Sequence, residues 1–279
     1  MTFGAHYEHR PTEAYPVMQR TGIKFFRKVA QTGRGLFAGI GQRGFFIRDI
    51  VRAFGEPATW GRETIKQMRN IGVDSVPLVV IVAGFLGAVT AFQAFYQLFA
   101  GVQLSVLGLL VRGSIVLELG PLLTPLVLTG RIGARMTAEI GTMRVTEQID
   151  ALTTLSTNPL RYLVLPRLIA GILTLPCLVL VADIIGVFGG FIVATYKLNF
   201  DPVAYLTQTE RYLATMDVVS GLIKAAVFGF IVALMGCYMG YQSRGGAQGV
   251  GQATTYAVVS ASILILLTDY FMTQAFFAS

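Results

Sequence analysis

"SVPLVVIVAGFLGAVTAFQAFYQLFAGVQLSVLGLLV", residues 75–111, contains no Asp, Glu, Lys or Arg. A helical bilayer crossing needs roughly 20 apolar residues, so the stretch is long enough to cross twice. The polar link "AGVQLS" at residues 100–105 supplies the turn. The rest of the chain agrees: its 279 residues are 54% hydrophobic and 13% charged, against about 25% charged in an ordinary soluble domain. Lipid offers no water to satisfy an open strand, so the spans must be helices. The fold class is therefore all-α, a polytopic integral membrane protein.

Working outward, apolar runs predict five spans, at approximately 75–100, 104–128, 168–196, 222–241 and 253–276. Twelve of the 22 Lys and Arg fall in residues 1–72, and Arg131, Arg135, Arg144, Arg161 and Arg167 flank the link between spans two and three. The link after span three holds only Lys197 and Arg211. By the positive-inside rule the N-terminus and the link between spans two and three are cytoplasmic. Five spans then put the C-terminus on the far side.

Residues 1–19 read as a disordered tail. Residues 20–72 read as basic amphipathic helices in the headgroup layer, because "RTGIKFFRKVAQTGRGLFAGIGQRGFFIRDIVRAFG" interleaves Arg and Lys with Phe and Ile. The basic part is too long for a signal peptide, and no compact apolar core with a cleavage site follows it. Glycine interruptions and the adjoining span argue against nucleic acid as the partner. Residues 73–279 form the membrane domain.

No catalytic constellation is present. Both histidines, His6 and His9, lie in the tail, and Cys177 and Cys237 lie inside spans, where a thiol behaves as a small hydrophobe. No metal site and no disulfide are expected. There is no G-x-x-x-x-G-K-[ST] loop to cradle a nucleotide phosphate. The chain reads as a non-enzyme without a cofactor of its own, and any work it does must be driven by a partner.

Four ionisable residues fall inside spans: Glu118, Asp183, Lys224 and Asp269. Each costs about 2.5–3.5 kcal/mol even on an insertion scale, so each needs a reason. Arg112, near the outer end of span two, can snorkel to the headgroups. Glu118 precedes Gly120 and Pro121, where a helix loses a hydrogen bond and bends, which would turn the carboxylate toward a cavity. Lys224 is expected to form an ion pair with Asp183 or Asp269 that fixes helix packing. Phe92, Phe95, Tyr96 and Phe99 either line a pocket for acyl chains or form an aromatic belt facing lipid.

"TGRIGARMTAEIGTMRVTEQIDAL", residues 129–152, interrupts this apolar landscape. Val145, Ile149 and Leu152 recur at helical spacing on one face, with Arg144, Glu147 and Asp150 directed elsewhere, which predicts a short amphipathic helix at approximately 137–153. Gly130, Gly133 and Gly141 would let the chain turn out of the membrane, and Asn158–Pro159 would end the segment. Such a helix either lies on headgroups or docks a cytoplasmic partner.

The motifs "ELGP", "GR.G...TAEIGTM..TEQIDAL" and "NPL.....PR..AG", in order between Glu118 and Gly171, resemble the signature region of the MlaE (YrbE-like) permease family. The resemblance extends more weakly from about Gly72 to the C-terminus, and residues 1–60 match only in character. It implies a homodimeric permease subunit of a lipid ABC transporter, bound to cytoplasmic ATPase subunits that hold ATP and Mg, beneath a ring of MCE-domain proteins. Phospholipids or related lipids would be the substrate. The location would be a bacterial inner membrane, or alternatively a plastid inner envelope.

The resemblance also implies residue roles. Glu118 would lie near a lipid pocket at the dimer interface. The helix with "GTMRVTEQIDAL" would couple to the ATPase, with Arg144, Glu147 and Asp150 as polar contacts and Val145, Ile149 and Leu152 as apolar ones. The competing classes are a secondary transporter or channel, which usually carries paired halves not seen across these five spans, and a membrane scaffold without transport.

Overall fold

The computed structural model describes residues 57–98, 106–211 and 215–277. The readings made for residues 1–56 and for Phe99 lie outside this set. The described residues are helical throughout their ordered elements and contain no strand. Five stretches are long and apolar enough to cross a membrane: Trp60–Gln97, Leu107–Val145, Leu160–Tyr196, Thr215–Tyr241 and Gly246–Phe276.

The described residues begin with amphipathic α1 (Pro57–Ile71) and, after a 3₁₀ turn at Val73–Ser75, enter α2 (Val76–Gln97) with Pro77 in its first turn. A proline there costs nothing, since its missing N–H would be unpaired anyway. Span two is a composite rod: α3 (Leu107–Ser114), a π-helical turn at Ile115–Leu119, α4 (Gly120–Leu128), a second π turn at Thr129–Gly133, and α5 (Ala134–Val145). The short α6 (Gln148–Thr154) follows. A third π turn at Leu160–Val164 leads into the 32-residue α7 (Leu165–Tyr196). α8 (Pro202–Arg211), α9 (Thr215–Tyr241) and α10 (Gly246–Phe277) complete the order.

Prolines account for two of the three π turns. Pro121 and Pro166 each lie two residues beyond a segment, the first and the third, and a proline cannot donate to the carbonyl four residues back, so the ladder widens locally instead of breaking. Asn158 accepts the N–H of Leu160 at 3.0 Å through Oδ1 and so starts the third segment.

α7 is the central helix, flanked by α1, α2 and α9. Close backbone approach makes this packing possible: a Cβ on Gly87 of α2 would collide with the Gly186 carbonyl of α7, and one on Gly171 of α7 would come within 2.9 Å of the Gly229 carbonyl of α9. Lipid tails are as apolar as the helix surfaces, so intimate van der Waals contact between small residues holds such helices together.

The course of span two corrects one expectation. Gly130, Gly133 and Gly141 do not turn the chain out of the membrane; the rod continues through all three to Val145. Gly141 serves packing instead, since a Cβ there would meet Ser243 Oγ at 2.9 Å. The reversal comes at Thr146 and Glu147, where Glu147 takes the left-handed conformation at φ 60°. The helix expected at 137–153 is therefore two helices, α5 and α6, with a corner between them.

Candidate functional site

Three elements bring charge together inside the membrane. Glu118 stands on the first π turn, Lys224 on α9, and Asp269 and Thr273 on α10. Lys224 is completely buried. Its Nζ donates to Glu118 Oε2 at 2.7 Å and to Thr273 Oγ1 at 2.7 Å, and lies 3.5 Å from the Leu117 carbonyl. Asp269 Oδ1 is 3.2 Å away, an ion-pair contact too oblique for a hydrogen bond. The Leu117 contact follows from the backbone: Pro121 has no N–H to offer the carbonyl four residues back, and the ammonium approaches it.

Burial differs sharply within this cluster. Lys224 has no solvent-accessible side-chain surface and Asp269 has 9%, whereas Glu118 keeps 37%. The ammonium thus anchors a carboxylate that remains open on its other side. Oε2 makes the contacts to Lys224 and Thr273. The sequence placed Glu118 and the Lys224 ion pair in separate roles; here they are one cluster. Of the two candidate acids for Lys224, Asp269 is in contact.

Asp183 is elsewhere. It is buried on α7 against Gly120, and its Oδ1 has no partner among the described residues. Thr273 was not anticipated, because a single threonine in an apolar run carries no signal. Arg112 does not snorkel: its side chain is buried and Nη1 reaches Asp217 Oδ2 at 3.2 Å.

The aromatic candidates stand apart from this cluster, at the end of α2. Phe92 stacks on Tyr96 at 6.3 Å between centroids, and Phe95 meets Tyr96 edge to face at 5.9 Å. Phe95 packs beside the core of Ala91, Leu107, Val111 and Ala194, whereas Phe92 and Tyr96 are exposed on the helix surface. An apolar crevice lined by Val79, Val82, Ile115, Gly120, Leu123 and Ala182 includes none of these rings.

At the Arg-rich end, the corner between α5 and α6 holds the remaining candidates. Arg144 Nη1 binds Asp150 Oδ1 at 2.5 Å across the corner, and its guanidinium covers the Tyr241 ring of α9 at 5.8 Å. Ile149 is wholly buried and so exposes no apolar surface of its own. The single apolar face expected for Val145, Ile149 and Leu152 is divided by the corner, with Val145 on α5 and the other two on α6, and of the three only Ile149 is buried. Val145 and Leu152 are partly accessible, and Glu147 is exposed. Beside them an open apolar cleft of about 290 Å³ is lined by Met143, Ile149, Leu152, Leu155, Tyr162 and Leu163, with Leu155 74% exposed.

Among the described residues no group of three His, Cys, Asp or Glu is placed to hold a metal ion. Within the intramembrane cluster, the ammonium of Lys224 occupies the place between the carboxylates that a cation would take.

These features define a class: a multi-pass helical membrane protein whose spans enclose an ionised cluster and whose second span ends in a helical corner at the Arg-rich face. The family model "Permease MlaE" matches residues 64–275. A "Probable ABC transporter permease protein" of Rickettsia felis is 50% identical, over 95% of this chain and 97% of its own length. The "Intermembrane phospholipid transport system permease protein MlaE" of Haemophilus influenzae is 30% identical over 92% of this chain and 99% of its own. "Protein TRIGALACTOSYLDIACYLGLYCEROL 1, chloroplastic" of Arabidopsis thaliana is 34% identical, over 77% and 62% respectively. The chain belongs to the MlaE permease family, as its motifs suggested, and the secondary-transporter, channel and scaffold alternatives are not favoured.

Proposed function

We propose that this chain is the membrane-spanning subunit of an ABC transporter that moves phospholipids between an inner membrane and the outer envelope. It works as a homodimer with cytoplasmic ATPase subunits, which bind ATP and Mg, and beneath a ring of MCE-domain proteins. The membrane is a bacterial inner membrane, with a plastid inner envelope as the alternative. The names of the Haemophilus and Rickettsia relatives support the substrate and the ABC class.

One observation carries the mechanism: Glu118 and the α5–α6 corner belong to a single helical rod, about 40 Å apart at 1.5 Å per residue. A push on the corner by a closing ATPase is transmitted along this rod to the π turn that holds Glu118. Packed helices move as units instead of deforming continuously. Lipid enters beside Glu118, with Phe92, Phe95, Tyr96 and Phe99 as candidate acyl contacts. Glu147, Arg144, Asp150, Val145 and Leu152 meet the ATPase, and Ile149 supports them from beneath.

The test is co-reconstitution with a candidate ABC ATPase subunit, reading complex formation and lipid movement separately. The double variant Glu147→Lys, Asp150→Lys should insert normally but lose ATPase binding. Glu118→Gln should keep the complex and slow lipid movement. Wild-type behaviour of both variants would overturn the assignment.

A further inference from the structure

Arg131 is the first ionisable residue after Leu128, and Ser75 immediately precedes the apolar run of α2. The two meet: Arg131 Nη1 donates to Ser75 Oγ at 2.8 Å. This contact ties two helical stretches where their charge-free apolar runs stop, as suits the passage from hydrocarbon core to headgroups. Around it the other charges are matched. Glu139 receives Arg135 Nε on Oε1 at 2.9 Å and Arg167 Nη2 on Oε2 at 3.0 Å, so both of its oxygens are engaged. Asp74 lies 3.8 Å from Arg135. Three guanidiniums thus face two carboxylates, and the unmatched one is Arg131, whose bond among the described residues is to a neutral hydroxyl.

Arg131 also borders a crevice. Gln67, Asn70, Arg131 and Arg135 supply its polar lining, with Glu139 already neutralised, and Ile71, Ile132 and Met136 its apolar wall. Its volume is about 20 Å³, room for one oxygen-sized group. A single oxygen fits, with the rest of its molecule outside. A guanidinium is suited to phosphate recognition, and amide side chains add neutral donors.

We propose that this crevice, between α1 and α5 at the Arg-rich end, binds the phosphate of an anionic phospholipid of the adjoining leaflet, with Arg131 as the charged ligand and Gln67 and Asn70 beside it. It is distinct from the Glu118 cluster, from which Arg131 stands about 20 Å along the rod. It does not depend on which lipid is transported, or on transport at all. Its consequence is that lipid clamps α1 against span two.

Native mass spectrometry of the full chain, released from nanodiscs of equal phosphatidylglycerol and phosphatidylcholine, tests this by counting retained lipids. The wild type should retain phosphatidylglycerol selectively. Arg131→Gln should lower that selectivity roughly tenfold, as expected for loss of one charge-assisted bond, and Arg131→Lys should recover part of it. Because the readout is a ratio between two lipids on folded protein, a variant that merely loosens packing leaves it unchanged. Equal retention of both lipids by the wild type, or unchanged selectivity in Arg131→Gln, would overturn the proposal. So would displacement of the lipid by inorganic phosphate at constant ionic strength, which would indicate a soluble anion as the ligand.

Discussion

Lys224 Nζ lies 2.7 Å from Glu118 Oε2, and the two ends of this bond sit in opposite surroundings: the ammonium is sealed and the carboxylate is 37% exposed. Lys224 has no route to water, so its charge depends on Glu118, Asp269 and Thr273. Removing one member of such a group leaves the others buried and unmatched, at a cost of about 3–5 kcal/mol. Lys224→Met should therefore be strongly destabilising in detergent by thermal unfolding, because it sets Glu118 and Asp269 side by side without a cation. Glu118→Gln keeps an acceptor for the ammonium and should lose far less. Equal losses in the two variants would mean that the bond does not organise the cluster.

The α2–α7 contact makes a second, sharper demand. A Cβ on Gly87 collides with the Gly186 backbone, which cannot swing aside as a side chain would, whereas a Cβ on Gly130 meets nothing within 4 Å. Gly87→Val should lower stability by about 1–3 kcal/mol or more, the usual range for overpacking. Gly130→Ala should be neutral or slightly stabilising, because alanine favours the helix. Parallel thermal melts of the two variants decide it, and a tolerant Gly87 would mean that the helices are further apart.

These cases separate what the sequence made legible from what it did not. Charge-free runs and the distribution of Arg and Lys revealed the spans, because both follow from the cost of putting charge in lipid. Which acid meets Lys224 was hidden: it depends on the rotation of α9 and α10 about their axes, and in helices apolar on all sides no periodic stripe records that rotation. Ile149 shows another difficulty. Its spacing to Leu152 was plain, but spacing does not say whether protein or partner covers a residue, and the stripe drawn back to Val145 crosses the corner. The corner at Glu147 was invisible because no Gly or Asn marks the left-handed residue, and glycines that looked like punctuation at Gly130, Gly133 and Gly141 continue the helix.

Arg112 and Asp217 form a second ion pair, between α3 and the start of α9, with Arg112 buried and its Nε unpartnered. Asp217→Ala should destabilise by about 1–3 kcal/mol, less than for a fully sealed pair because the aspartate is partly accessible. Replacing both residues, Arg112→Met with Asp217→Leu, should recover much of that loss, since a matched apolar pair leaves no orphan charge. A double-mutant cycle on thermal stability gives the coupling. Additive losses would show that the two side chains act independently.

At the corner, backbone and charge can be separated at one position. Glu147 adopts φ 60° without being glycine, and the left-handed region costs a residue with a Cβ about 1–2 kcal/mol. Its carboxylate is exposed, and neither an ion pair nor a side-chain hydrogen bond engages it among the described residues. Glu147→Gly should therefore preserve the corner and raise stability slightly while deleting the charge, whereas Glu147→Val should strain the turn and disturb the Arg144–Asp150 bond across it. Comparing ATPase binding by the two variants then identifies what the partner reads. If binding survives in Glu147→Gly but fails in Glu147→Val, the partner recognises the shape of the corner. If it fails in both while Glu147→Gly melts at or above the wild-type temperature, the carboxylate itself is the contact.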